Sequence, residues 1–385
     1  MLAKRVCEIE ESGTVKLANL VDEMKRKGIK IISFAVGEPD FTTPRHIIDA
    51  AIESLNSGFT HYTPSMGIYE LREAIAERCN NYNKIPCKPK EVLVTPTKLA
   101  VYLAVMACIN EGDEVIIPDP SWVTYEACVK LAGGKPVFVE TREEDNYALT
   151  QESLQSSITP RTKMIIINTP SNPTGAVYTL DELKVIADIA KDHNLLVVSD
   201  EIYEELVYEG RNYSIASLDG MFERTITVNG FSKTFAMTGW RIGWAVGPQP
   251  IIEAMNKIQQ HTLTCVCSFA QKAGIAALKG DRKPVDEMIK EFKERREIVC
   301  KGLNEIPGFK CKKPAGAFYV FPSYTFNKTS LELSEFLLKE ARVAVTPGCA
   351  FGRCGEKHIR ISYATSKECI IEGLKRISEA VSKLS

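Results

Sequence analysis

Short apolar runs alternate with helical spacing through the middle of this chain, and that alternation limits its fold more than any other feature. Lys163 to Ile167, Leu195 to Ser199 and Thr225 to Val228 are strand-like and almost wholly apolar. Between the first two lies Leu180 to His193, where Leu183, Ile186, Ala187 and Ala190 recur on one helical face. Glu91 to Val94 and Glu114 to Ile117 are also strand-like, and Leu99 to Ile109 is apolar enough for a packed helix that stops before Gly112. Strands that are apolar on both faces need cover on both faces, so the pattern predicts an α/β fold with a mostly parallel sheet between helices. Such sheets bind ligands at the carboxyl ends of their strands. The segments found there are Asn168 to Gly175, Asp200 to Tyr203 and Asn229 to Lys233.

The length of 385 residues exceeds what one simple core organises and suggests two domains. We read residues 1–44 as an arm and the first part of a small domain. Residues 45–294 form the large domain, and 295–385 the rest of the small one. Gly316 to Phe321 and His358 to Ser362 read as strands there. The net charge of −1 argues against a protein built to grip nucleic acid or an acidic membrane. No run approaches the roughly 20 apolar residues of a membrane span, and the N-terminus lacks a signal-peptide pattern, so a cytoplasmic chain is expected. The twelve cysteines include no C-x-x-C pair, and the five histidines form no ligand pair. No metal site is expected, and the cysteines are expected to be mostly small buried apolar residues.

The chemistry concentrates around Lys233. It follows a strand-like run and is surrounded by Gly230, Ser232, Gly239 and Gly243, with Arg241 eight residues on. A lysine amine in a partly dry cleft beside other cations loses its proton more easily and can form a Schiff base. The Arg241 fork matches a phosphate. Asp200 ends an apolar strand, where a carboxylate is costly without a cationic partner such as a pyridinium nitrogen; the alternative is a helix cap. Tyr203, three residues on, could donate to a phenolate on the same ring. Thr95-Pro96-Thr97-Lys98 reads as a helix start with Thr95 as N-cap, aiming the N–H groups of Thr97 and Lys98 and the Thr97 hydroxyl at an anion. Trp122 offers a stacking face or is an ordinary core tryptophan. Arg360, on an alternating strand, faces outward or faces an anion.

Taken together these residues resemble the class I aminotransferases of fold type I, including prokaryotic and archaeal aspartate and aromatic aminotransferases. The resemblance spans about Gly37 to Ser366. Its blocks are Gly37 to Phe41, His61 to Pro64 with Gly67 to Arg72, Gly112 to Val115, Asn172 to Gly175, Ser199 to Tyr203, the Lys233 block, Gly316 to Tyr319, and Arg360 to Ala364. It implies a seven-stranded, mostly parallel sheet in a large domain, a smaller α+β domain, and pyridoxal 5′-phosphate as cofactor. Lys233, Asp200 and Tyr203 would be catalytic. Thr97, Lys98, Trp122, Asn172, Ser232 and Arg241 would hold the cofactor, with Tyr62 reaching the phosphate of a neighbouring subunit in a homodimer. Gly37, Lys98, Trp122, Asn172 and Arg360 would hold the substrate. Cis peptides would precede Pro120 and Pro173. Two departures stand out: Gly230 replaces a serine found in some relatives, and Pro96-Thr97 replaces a pair of small residues.

The implied activity is transfer of an amino group from an L-amino acid to a 2-oxo acid, usually 2-oxoglutarate. Lys98 and Trp122 favour aspartate as donor. The stretch Ser214 to Lys233 resembles archaeal aromatic aminotransferases, and alanine or prephenate are further options. A β-lyase of the same fold is the alternative chemistry. A DNA-binding regulator is disfavoured by the short segment before Gly37, and a dehydrogenase by the lack of an early G-x-G-x-x-G.

Overall fold

A computed structural model describes residues 2–9, 20–24 and 26–384. The first strand, β1 (Ile32–Ser33), lies apart from the main sheet. That sheet contains β2 (Val92–Val94), β3 (Glu114–Asp119), β4 (Lys135–Glu140), β5 (Thr162–Asn168), β6 (Leu196–Asp200), β7 (Thr225–Gly230) and β8 (Gly243–Val246). Its order is β2-β8-β7-β6-β5-β3-β4. Only β8 runs against its neighbours; the other pairings are parallel.

The strands are apolar throughout because successive residues serve two cores. Met164 and Ile166 of β5 pack with Val198 and Val228 under the helices Thr97–Cys108 and Gln249–Gln260. Ile165 and Ile167 point the other way, into a core shared with Val197 and the helix Leu180–Asp192. That helix opens with a capping box in which the Thr179 hydroxyl and the Glu182 carboxylate satisfy each other's backbone N–H groups. Each fully buried aliphatic side chain contributes about 1.5–3 kcal/mol.

The C-terminal region adds β9 (Phe309–Lys310), β10 (Tyr319–Val320), β11 (Ser323–Tyr324), β12 (Val343–Ala344), β13 (Thr346–Pro347) and β14 (Ile359–Ser362). An antiparallel sheet has the order β10-β14-β13, β9 pairs with β11, and β1 pairs in parallel with β12. The helices Lys283–Asn304 and Lys367–Val381 share a core with these strands through Phe292, Val299, Leu303, Ile370 and Ile377.

Three local expectations need correction. Thr95 is not the N-cap of its helix: its N–H bonds Gly243 O at 3.0 Å, which keeps it in the sheet, and Pro96 caps instead. The strand expected over Gly316 to Phe321 shrinks to two residues. Ala317 takes a left-handed φ of 56°, and its N–H turns aside to Leu206 O at 2.8 Å. Of the twelve cysteines, all free thiols, only five are buried; four are partly buried and three exposed. The peptides before Pro120 and Pro173 are cis as expected, and so is the one before Pro170. No described helix is long and apolar enough to cross a membrane.

Candidate active site

The carboxyl ends of β5, β6 and β7 open on a cavity of about 400 Å³. Eleven of the twelve residues singled out from the sequence line it: Gly37, Thr97, Lys98, Trp122, Asn172, Asp200, Tyr203, Ser232, Lys233, Arg241 and Arg360. The twelfth, Tyr62, lies outside it and is 87% exposed.

Lys233 leaves the end of β7, and its Nζ donates to Gly37 O at 2.6 Å. Burial pushes the amine down to about 8; Glu38 opposes the shift, while Arg360 and Arg241 add to it. The amine therefore exchanges a proton near neutral pH, which an exposed lysine does not do. Gly37 has no room for a side chain, since a Cβ there would lie 2.4 Å from the Tyr319 hydroxyl.

Asp200 ends β6 as a buried carboxylate. Tyr125 Oη donates to its Oδ2 at 2.8 Å, and the Ile202 N–H donates to Oδ1 at 3.2 Å. The second contact closes a local turn; no helix directly follows Asp200, so the alternative reading as a helix cap does not hold. Burial raises the carboxyl to about 6, against the pull of Tyr125, Ile202 and Lys233. Asn168, opposite Asp200 across the β5–β6 ladder, donates through Nδ2 to Asp200 O at 2.8 Å. Its Oδ1 accepts the Asn172 N–H at 2.8 Å, which fixes the turn that carries Asn172.

Arg360 faces inward from β14, only 3% exposed. Its Nη1 donates to Asn172 Oδ1 at 2.8 Å, and its Nη2 donates to Ala35 O at 2.6 Å. The guanidinium lies between the Tyr319 and Phe351 rings, 4.6 and 4.9 Å from their centroids. Among the described residues all its bonded acceptors are neutral and its Nε has none. A buried cation with only neutral partners is a receptor for an anion from outside.

Arg241, in a left-handed turn with φ 56°, is fixed by a bond from Nη1 to Thr238 O at 2.7 Å. Lys98 Nζ sits 4.9 Å over the Trp122 ring, and its partly enclosed position and Arg241 hold the amine below the usual lysine value.

The two departures from the family pattern meet in space. Gly230 and Gly243 pair across β7 and β8. A Cβ on either would fall 2.3 or 2.4 Å from Thr97 Oγ1. The Thr97 hydroxyl fills that gap and donates to Asn229 O at 3.1 Å. It is therefore spent on the sheet, where the sequence had it facing an anion; the N–H groups at the helix start keep that capacity.

Tyr125 and Tyr319, with Ala35, Val36 and Thr238, are among the lining residues that escaped the sequence reading. Tyr125 lies three positions after Trp122, in the first turn of the helix Thr124–Leu131, and no local pattern pointed to it. Tyr319 lies in a quoted block, but its place beside Tyr203 and Arg360 depends on the β10–β14 ladder, which no local pattern reveals.

Behind Asp200, Glu201 is fully buried, with Ser199 and Ser214 hydroxyls donating to Oε1 at 2.8 and 2.7 Å. Oε2 has no partner. Burial, reinforced by Glu204, pushes this carboxyl to about 8, so it carries a proton at neutral pH. A raised folded-state pKa means the native state holds the proton more tightly, so stability falls as pH climbs from the unfolded value through about 8. Glu201→Gln is expected to remove that loss. It should raise the melting temperature at pH 9, by an amount reflecting roughly 2–4 kcal/mol, and change little at pH 5. Parallel melting curves for the two proteins across that range would overturn this.

Comparison with known proteins agrees with this geometry. The sequence profile described as aminotransferase class I and II matches residues 29–377. An aromatic-amino-acid aminotransferase 2 of Thermococcus litoralis is 48% identical over 91% of this chain and 92% of its own. An aspartate aminotransferase of Pyrococcus abyssi is 48% identical over 99% and 98%. The solved aspartate aminotransferase of Thermus thermophilus with maleate superposes with a TM-score of 0.96 at 39% identity, over 99% of each chain. A lysine at a strand end, facing a buried carboxylate and an inward arginine, thus occurs in a chain that belongs to the class I and II aminotransferases, enzymes dependent on pyridoxal 5′-phosphate.

Proposed function

We propose that this aminotransferase takes its amino group from L-aspartate and passes it to 2-oxoglutarate. The observation that carries the donor assignment is Lys98. Its amine stands over Trp122 at the cavity wall, with no carboxylate in ion-pair contact among the described residues. A cation so placed suits the distal carboxylate of a dicarboxylic substrate.

The cavity fits the cofactor. Asp200 suits a ring nitrogen that carries a proton, and the Arg360 guanidinium lacks an anion. Pyridoxal 5′-phosphate, when bound, supplies a carbonyl for the amino group and a ring that takes up charge from the substrate Cα. In this reading Lys233 Nζ moves the proton at that Cα, and Asp200 keeps a proton on the ring nitrogen. Tyr203 and Asn172 meet the ring oxygen, and Trp122 stacks on the ring. Arg241, Ser232 and the start of the Thr97–Cys108 helix hold the phosphate. Arg360 and the Gly37 backbone orient the α-carboxylate. Tyr62, exposed in the single chain, reaches a neighbour's phosphate in a homodimer. An active protein that sediments as a monomer at assay concentration would remove that last role. Residues 1–44 and 295–385 make up the small domain in this reading, and the enzyme works in the cytoplasm.

Lys98→Ala tests the donor. Turnover efficiency with aspartate is expected to fall about a hundredfold, and with phenylalanine less than about threefold. Equal losses would make Lys98 a phosphate neighbour and sink the aspartate reading. The resemblance to an aromatic-amino-acid aminotransferase supports the second reading, an aromatic donor.

A further inference from the structure

Tyr203 and Tyr319 are both buried, and their hydroxyl oxygens are 2.8 Å apart. Each phenol has one proton, so only one of the two can donate in that bond. The other keeps its proton for a different partner. The rings meet edge to face with centroids 5.7 Å apart, and both line the cavity.

The surroundings differ. The Arg360 guanidinium lies 4.6 Å from the Tyr319 ring centroid, closer than Lys233 Nζ, which is 5.9 Å from the Tyr203 centroid. A cation against the ring favours negative charge on that phenol and makes it the stronger donor. Burial raises both phenols and Arg360 opposes that rise at both, most directly at Tyr319, whose ring it lies over. The Gly37 backbone packs against the Tyr319 hydroxyl closely enough to exclude a side chain there. Tyr319 is therefore confined by three groups of the site.

We propose that Tyr319 is a positioning residue: it donates its proton to Tyr203 Oη, so that the Tyr203 proton is left to point into the cavity. The inference rests on the reading of Tyr203 as donor to the cofactor's ring oxygen. A phenol that accepts one hydrogen bond also becomes a better donor in the next, so Tyr319 strengthens the bond that Tyr203 makes.

The test uses the cofactor-loaded protein and reads the pH midpoint of its visible absorbance. A donor at the ring oxygen favours the deprotonated, more negative form, so losing it moves the midpoint up. Tyr203→Phe is expected to raise the midpoint by about one unit or more, and Tyr319→Phe by about half a unit. The double variant should match Tyr203→Phe alone, because Tyr319 acts through Tyr203. Replacing Tyr319 by 3-fluorotyrosine keeps its shape and strengthens it as a donor, which should move the midpoint down. This second replacement also covers the case in which the phenylalanine variant folds poorly. A Tyr319→Phe midpoint equal to that of the wild type, with Tyr203→Phe shifted, would overturn the proposal alone. An unshifted Tyr203→Phe would overturn the role of Tyr203, and the proposal with it. A merely structural tyrosine would lower the melting temperature of Tyr319→Phe and leave the midpoint in place.

Discussion

Replacing Lys233 by alanine is expected to lower amino transfer by about 10⁴-fold or more, because the change removes the group proposed both as nucleophile and as proton carrier. Folding should not suffer. The lysine amine is held down to about 8 chiefly by burial, so the native state gains nothing from keeping it charged. Its bond to Gly37 O is lost, but a buried cation is lost as well. Cofactor uptake should persist, since Asp200, Asn172, Ser232 and Arg241 remain in place. Steady-state turnover, a thermal melt and cofactor titration separate these effects. A variant keeping more than about 1% of activity would show that another group moves the proton.

Arg360→Met has the second largest expected effect, and it carries a sign that distinguishes function from structure. The guanidinium is buried among the Ala35 carbonyl, the Asn172 amide, the Thr346 hydroxyl and two aromatic rings, none of them charged. Burial already holds its pKa below the ordinary arginine value. If its charge waits for a substrate carboxylate, removing it should cut turnover efficiency with every amino acid by about a hundred- to a thousandfold, equivalent to roughly 3–4 kcal/mol. Stability should stay level or rise, because the apolar replacement relieves an unpaired buried charge. Arg360→Lys should recover little, since a point charge cannot make the two-pronged contact. If Arg360→Met instead melts well below the wild type and keeps its substrate affinity, Arg360 is a structural residue.

The sequence exposed the parts of this protein that repeat or cluster locally. Apolar strands β5, β6 and β7 were legible because each is covered on both faces, and their carboxyl ends pointed at Lys233 and Asp200. The family blocks then supplied Arg360 and Asn172. The hidden parts depend on contacts between distant segments. Thr95 looked like a helix cap because its pairing with Gly243 is not written in its neighbours. Tyr319 is the strand residue that the pattern suggested, but nothing local places its hydroxyl beside Tyr203. Tyr125 was hidden too, since nothing near it in the chain shows the Asp200 carboxylate that its hydroxyl meets.

The contact between the Thr97 hydroxyl and the paired glycines Gly230 and Gly243 limits the routes by which this site can change over time. A serine at 230 and a threonine at 97 compete for the same few cubic ångströms. A lineage passing from one arrangement to the other must therefore first give up the hydroxyl at 97, accept a temporary gap and the loss of its bond to the Asn229 carbonyl, and only then gain the new side chain. The reverse order meets a steric wall. Two positions far apart in the chain are in this way bound to a shared history.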